Sequence, residues 1–116
     1  MDLKWLDGIE GNITVCDLKG IIVYMNARSA ESFKDRGGMS LIGKSLFDCH
    51  QETSNIQIQE MLRTGASNVY TVEKKGKRKF VWQAPWLENG VCKGLVEITM
   101  PIPSEIRHIV RDNQTT

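Results

Sequence analysis

One stretch of the sequence has the residue types and spacing of a phosphate-binding loop. The run GMSLIGKS, which begins at Gly38 and ends at Ser45, fits the pattern G-x-x-x-x-G-K-[ST]. Nucleotide phosphates are held by such a loop when a strand precedes it directly and a long helix follows it directly. Here a polar segment precedes the pattern and a short, irregular run follows it. We therefore expect a chance match, and a nucleotide titration that responds to Lys44→Ala would overturn that expectation.

The adjacent residues Cys49 and His50 are the second candidate for chemistry. Both side chains can bind a metal, and histidine can bind haem iron. A structural metal site usually needs four protein ligands and a catalytic one three, and the other histidine, His108, lies near the C-terminus. Two interpretations stay open: a haem ligand at His50, or a histidine that supports the start of a helix beside a buried thiol.

Catalysis and nucleic-acid binding have no positive support. The sequence has no arrangement of nucleophile, base and orienting group, so we expect no enzyme. Fifteen basic and fourteen acidic residues give a net charge of +1, which offers no general attraction to nucleic acid or to an anionic membrane. A local basic run has no interleaved aromatic residues and is expected to be a solvated hairpin tip. Its members are Lys74, Lys75, Lys77, Arg78 and Lys79.

The sequence also predicts the compartment. Neither a signal peptide nor an apolar stretch of membrane-spanning length is visible, so a cytoplasmic protein without membrane contact is expected. Cys16, Cys49 and Cys92 are odd in number and form no C-x-x-C pair, which indicates free thiols in a reducing compartment.

The elements around these residues suit one domain of 116 residues. Asp17 and Gly20 are placed to form a four-residue turn between two antiparallel strands. Residues 21–25 are the second of these strands, and Asn26 can cap the helix that follows it directly. A further helix is predicted from a capping box at Ser54 and Gln57 to Gly65, with one apolar stripe.

Three more strands are expected at residues 69–74, 78–87 and 91–100, the last two joined by a two-residue turn. The predicted fold is therefore α+β, a five-stranded antiparallel sheet with helices packed on one face. The expected organisation is an N-terminal flanking helix in residues 1–11, the domain in 12–100, and a C-terminal short helix and polar tail in 101–116. Ser104 would cap that last helix.

This order of strand, turn, strand, asparagine and helix resembles the PAS family of sensory domains. Asp17, Gly20 and Asn26 carry the first part of the resemblance, and Gly43 lies in a segment similar to the one before the long PAS helix. Pro85, Gly90 and Gly94 sit as in the last two PAS strands. The resemblance covers roughly residues 10–100 and implies a small signal-transduction module that binds a small ligand or a protein partner without catalysis.

The resemblance implies that a ligand would lie between the sheet and the helices. Haem bound through His50 is a further alternative, and a flavin is disfavoured because the sequence lacks the Asn-Cys-Arg motif of flavin-binding PAS domains. The ligand is otherwise unknown. The candidate cavity residues are Cys49, His50, Ile58, Met61 and Leu62 from the helices, and Gln83, Val96 and Ile98 from the sheet.

The resemblance also implies a homodimer. Leu3, Trp5 and Leu6 could form a flanking contact or fold back on their own sheet, and Trp82 and Trp86 share one face of a strand whose two faces are both apolar. Which face points inward is open. The alternative function is a ligand-free dimerisation scaffold, and in either case the output would belong to a separate effector protein or the chain would be an excised domain.

Overall fold

The structure is a computed structural model that describes residues 2–49 and 52–113. Its strands are β1 (Asn12–Asp17), β2 (Ile22–Met25), β3 (Asn68–Lys74), β4 (Lys77–Glu88) and β5 (Val91–Pro101). Its α-helices are α1 (Ala27–Ser32) and α2 (Glu52–Thr64). Short 3-10 helices lie at Lys4–Asp7, Lys34–Arg36, Gly38–Leu41 and Leu46–Cys49.

The five strands form one antiparallel sheet in the order β2-β1-β5-β4-β3. The predicted fold class is therefore confirmed. β5 lies in the centre and pairs along most of its length with β1 on one side and β4 on the other. The first strand of the domain is thus joined to the last, and the helical segments between β2 and β3 cross one face of the sheet.

Tight turns fix the register of the two long hairpins. Lys75 and Gly76 join β3 to β4, and Asn89 and Gly90 join β4 to β5. All four residues have positive φ angles, between 52° and 80°. This is the backbone of a type I′ turn, whose twist matches that of the strands it joins. The basic run is exposed and extends from the last residue of β3, through the turn, to the first three residues of β4.

Asn26 joins three segments of the chain through one fully buried side chain. Its Oδ1 accepts from the backbone amides of Ser29, at 3.0 Å, and Ile13, at 2.9 Å. Its Nδ2 donates to the carbonyl oxygens of Leu6 and Gly11, each at 2.8 Å. The predicted helix cap is present, and the same amide also attaches the N-terminal segment to β1.

The core lies between the sheet and the helical segments. It is built from eight buried residues: Cys16, Ile22, Met25, Leu41, Leu46, Ile58, Met61 and Leu95. Ile58 and Met61 come from one face of α2, as their spacing predicts. Gly65 ends that helix with a positive φ, and its amide donates to the carbonyl oxygen of Met61 at 2.7 Å.

Two predicted helix boundaries differ from the structure. α2 begins at Glu52 and not at Ser54, so the Ser54 and Gln57 pattern is not its start. Residues 104–111 contain no helix, and Ile106, Ile109 and Val110 are exposed. A helix of this length is marginally stable in water unless its apolar side chains pack against another part of the protein. The exposed apolar side chains of this segment are not packed in that way.

The N-terminal segment forms a single 3-10 turn, Lys4–Asp7. No helix in the described part of the chain has the length and apolar character needed to cross a bilayer.

Candidate functional site

An apolar cavity lies between the sheet and the helical segments. Its free volume is about 20 Å³, close to the space that one water molecule needs. The lining residues are Thr14, Cys16, Ile22, Met25, Phe33, Leu41, Leu46, Ile58, Leu95 and Glu97. Aliphatic, aromatic and sulfur-containing side chains make up most of this wall, so the two polar members are the exception.

The two polar wall residues are held by other side chains. The hydroxyl of Thr14 is hydrogen-bonded to that of Ser29 in α1, and both residues are buried. Glu97 in β5 accepts through Oε2 from Nε2 of Gln83, at 2.7 Å. Oε1 of Gln83 in turn accepts from Nδ2 of Asn68, at 3.0 Å. A chain of three side chains therefore fixes the Glu97 carboxylate at the cavity wall.

The structure places the predicted cavity residues in three groups. Ile58 lines the cavity, Met61 is buried beside it in the core, and Leu62 packs against that core. Gln83 is buried on the cavity side and reaches the cavity only through Glu97. His50 lies outside the described residues, and the side chain of Cys49 is not described.

The predicted placement of Val96 and Ile98 is wrong. Leu95 and Glu97 line the cavity, and successive residues of a strand point to opposite faces of the sheet. Val96 and Ile98 therefore lie on the other face. An apolar residue was expected at the cavity wall, but the structure has the charged Glu97 there.

The same alternation resolves the orientation of β4. Val81 and Gln83 are buried and pair with Thr99 and Glu97, so they face the cavity side. The set Phe80, Trp82, Ala84 and Trp86 points to the opposite side. α1 and α2 both pack on the cavity side, where Ser29 and Ile58 contact the core.

An apolar surface therefore covers the side of the sheet away from the helices. Directly paired residues form a row across four strands, from Ile13 through Ile98 and Trp82 to Val69. Neighbouring rows contain Val15, Val96 and Ala84, and Phe80 with Met100. We call these nine residues the outer face. Trp82 is 50% exposed at its centre, and its ring makes an edge contact with Phe80 at 6.2 Å between centroids.

Trp86 has a structural role at one end of the sheet. Its indole Nε1 donates to the carbonyl oxygen of Cys16 at 3.1 Å, across Gly94. A Cβ atom at Gly94 would lie 1.9 Å from that oxygen and 2.5 Å from the indole nitrogen. Gly94 is therefore needed so that the tryptophan can reach β1.

The N-terminal interface candidates lie near the edge strand β2. Leu3 and Trp5 are more than half exposed, whereas Leu6 is partly buried. Leu3 lines a shallow depression with Tyr24 and Met39, at the end of the molecule near α1. Tyr24 pairs with Val15 of the outer face, so this depression lies beside that face. The role of the N-terminal residues in an interface stays a prediction.

The segment from Gly38 to Ser45 lacks the geometry of a phosphate-binding loop. It contains a 3-10 helix, Gly38–Leu41, and a second one, Leu46–Cys49, follows it. The amides of Gly43 and Leu46 donate to the carbonyl oxygens of Ile22 and Gly20, each at 2.7 Å. Amides that already bind carbonyl oxygens are not free to hold phosphate.

The cavity does not fit a haem group. Ligand sites usually have volumes of about 300–1,000 Å³, far above the free volume here. The side chains that the structure describes, which do not include those of Cys49 and Glu52, contain no group of three or more His, Cys, Asp or Glu that could hold a metal ion.

Cys16 is a thiol in the cavity wall. Burial raises its pKa to about 11, and the charges of Asp17 and Glu97 act in the same direction. The thiol is therefore protonated and unreactive at neutral pH. Cys92 is also free and is partly exposed.

No family model and no curated protein sequence matches the chain. Solved structures do. A C-terminal domain from Streptococcus mutans has a TM-score of 0.67 at 21% identity, and the match covers 84% of this chain and 79% of that one. VqmA bound to DPO has a TM-score of 0.67 at 16% identity, covering 88% of this chain and 56% of VqmA. The chain therefore spans little more than half of VqmA.

The third structure is the PAS domain of the histidine kinase ThkA. It has a TM-score of 0.61 at 12% identity, and the match covers 79% of this chain and 99% of that domain. These similarities confirm, for the fold, the resemblance that Asp17, Gly20 and Asn26 indicate. The chain has the fold of a PAS domain.

Proposed function

We propose that the chain is a non-catalytic signal-transduction module that associates with a second copy of itself through the outer face. The observation that carries this proposal is the exposure of Trp82 at the centre of an apolar row that crosses four strands. Contiguous apolar patches on a protein surface usually mark a site of association.

The residues at the margin of the outer face favour a second copy as the partner. Strand alternation places Glu73 and Arg78, which are cross-strand neighbours, at one end of the face and Asp17 at the other. An apolar centre with a polar rim is the usual anatomy of a protein interface. Because the rim has both signs of charge, two copies of the same face can meet without a like-charge field, and the net charge of +1 adds little repulsion.

The solved structures support the same proposal by analogy. One of the similar structures is described as a VqmA dimer from Vibrio cholerae. Two others are a sensor histidine kinase from the same organism and the PAS domain of the histidine kinase ThkA. Two features bear on whether the cavity holds a ligand. The small free volume favours a ligand-free scaffold, whereas the fixed carboxylate in the cavity wall favours a ligand-binding sensor. Mass spectrometry of natively purified protein separates these two alternatives.

The test of the outer face is the oligomeric state of Trp82→Glu. Removing a central tryptophan from an interface and placing a charge there costs about 2 kcal/mol or more, which is about a thirtyfold weaker dimer. We expect the wild type to sediment as a dimer and Trp82→Glu to sediment as a folded monomer. Trp86 is unsuitable for this test because its indole also stabilises the fold.

Leu18→Glu is the matched control. Leu18 is 52% exposed, close to the 50% of Trp82, but it lies in the β1–β2 turn. This variant should remain a dimer. A monomeric wild type at about 100 μM, well above micromolar dissociation constants, would overturn the proposal. A dimer that tolerates Trp82→Glu as well as Leu18→Glu would also overturn it.

A further inference from the structure

We propose that the cavity binds a small, mainly apolar molecule that carries a protonated amine or amidine, with Glu97 as its partner. This inference rests on the proposed signal-transduction function, takes its sensor alternative, and names the chemical class of the ligand. It depends on the cavity and not on the outer face.

The first step concerns the hydrogen bonds of Glu97. Oε2 accepts from Gln83, while Oε1 has no hydrogen-bond partner among the backbone groups and side chains that the structure describes. Neither of the ion pairs between described side chains, Lys34 with Glu31 and Arg63 with Glu60, involves Glu97. The carboxylate is therefore fixed in position, has a free acceptor atom, and has no cation beside it in the described chain.

The second step concerns the surroundings. The Glu97 carboxylate lies in a wall that is otherwise mostly apolar, and a hydrogen bond to a charged acceptor is stronger than one to a neutral acceptor. The charge of Glu97 raises the pKa of two neighbours, Cys16 and Tyr70, in each case together with burial as the larger cause. Its field therefore extends from the cavity wall to the inner side of β3.

The third step concerns the apolar part of the ligand. Ile58, Phe33 and Leu41 form the helical side of the cavity, and they offer no hydrogen-bonding side chain. A molecule bound there must place its donor at the sheet and its hydrocarbon part against the helices. An anionic ligand is excluded by the charge of Glu97, and a purely apolar one leaves Oε1 without a partner.

The fourth step concerns size. The free volume of about 20 Å³ admits only a molecule of a few heavy atoms unless side chains move. Met61 is buried beside Ile58 and has three rotatable bonds, so its side chain can adapt to an occupant. Substituting Ile58 by alanine removes three carbon atoms from the wall and provides the space directly.

The experiment compares three four-carbon probes: butylamine, 1-butanol and butyrate. At about pH 7 the amine is protonated, as a lysine side chain is. Each probe is titrated into the full chain and into Ile58→Ala, and amide chemical shifts are followed by NMR. We expect butylamine to shift the amides of residues 95–97 in at least one of these two proteins, 1-butanol to bind more weakly, and butyrate not to bind.

Glu97→Gln tests the role of the carboxylate because the amide has the same shape and can still bond to Gln83. A hydrogen bond to a charged group contributes about 1.5–3 kcal/mol, so this variant should bind butylamine roughly ten- to a hundredfold more weakly while its affinity for 1-butanol changes little. Glu88→Gln, on the exposed end of β4, is the control and should bind as the wild type does.

Three results would overturn the inference: no binding of butylamine in either background, equal affinity in Glu97→Gln and Glu88→Gln, or tighter binding of butyrate. Each of these leaves the oligomeric state unaffected. A failure of the ligand inference is thus distinguishable from a failure of the proposed self-association, which sedimentation alone decides.

Discussion

Asn26→Asp should destabilise the fold strongly although the two side chains have nearly the same shape. The substitution keeps the acceptor for the amides of Ser29 and Ile13 and removes the two N–H donors. The carbonyl oxygens of Leu6 and Gly11, each 2.8 Å from Nδ2, would then face a carboxylate oxygen. Two hydrogen bonds become two repulsive contacts at a fully buried position.

The expected cost follows from these two contacts. An acceptor left without its donor loses about 1–3 kcal/mol when it is buried. The Gly11 contact is buried and the Leu6 contact is partly buried, so the sum is about 3–4 kcal/mol. This is a large fraction of the roughly 5–15 kcal/mol that stabilises a domain.

The loss should depend on pH. Burial and the two carbonyl oxygens disfavour the charged form, whereas the amides of Ser29 and Ile13 favour it. Because the carboxylate oxygen that replaces Nδ2 meets both carbonyl oxygens, we expect the pKa of the new carboxyl group in the folded state to lie above its unfolded value of about 3.9. The folded state then binds the proton more tightly than the unfolded state, and stability falls as pH rises from the unfolded to the folded pKa. The deficit relative to wild type should be full at neutral pH and should shrink on acidification.

Urea unfolding at several pH values measures both effects. Asn89→Asp is the control, because Asn89 is exposed in a type I′ turn that also accepts aspartate. That change should stay within about 0.5 kcal/mol of wild type. A deficit for Asn26→Asp below about 1 kcal/mol, or one that does not change with pH, would show that the Asn26 amide does not hold the N-terminal segment as described.

Two further predictions concern the junction of β1 and β5. Gly94→Ala should lower the free energy of unfolding in urea by about 3 kcal/mol or more, because its Cβ would overlap the backbone of Cys16. Gly8→Ala is the control and should be nearly neutral, because a Cβ there would have no contact under 3.7 Å. Similar losses for the two variants would refute this account. Iodoacetamide at about pH 8 should modify Cys92 well before Cys16, whose pKa of about 11 leaves about one thiol in a thousand ionised. Equal labelling rates, read by peptide mass spectrometry, would contradict the burial of Cys16.

Much of the fold could be predicted because local signals agree with one another. The Asp17 and Gly20 turn, the Asn26 cap and the Asn89 and Gly90 turn each specify a backbone geometry that few other residues provide. These signals fix the order and direction of the strands. Apolar spacing in α2 also identified Ile58 and Met61 as core residues, because a helix has one buried face.

The cavity residues could not be predicted equally well, because β4 and β5 are apolar on both faces. Alternation then says which residues share a face but not which face is inside. Val96 and Ile98 were predicted for the cavity, and Glu97 between them was not. The signal that could have corrected this is the position of Gln83 opposite Glu97, since two paired polar residues in apolar strands can satisfy each other.

The alternation that made β5 difficult to interpret also gives the two proposed sites a physical connection. Glu97 lies at the cavity wall, while its neighbours Val96 and Ile98 lie in the outer face beside Ala84 and Trp82. A shift of the backbone at Glu97 therefore moves residues on both sides of the sheet, with no intervening element. Because linkage is reciprocal, a ligand that favours one position of this strand changes the dimer affinity by the factor by which dimerisation changes the ligand affinity. β5 is thus the element through which binding in the cavity can alter association on the outer face.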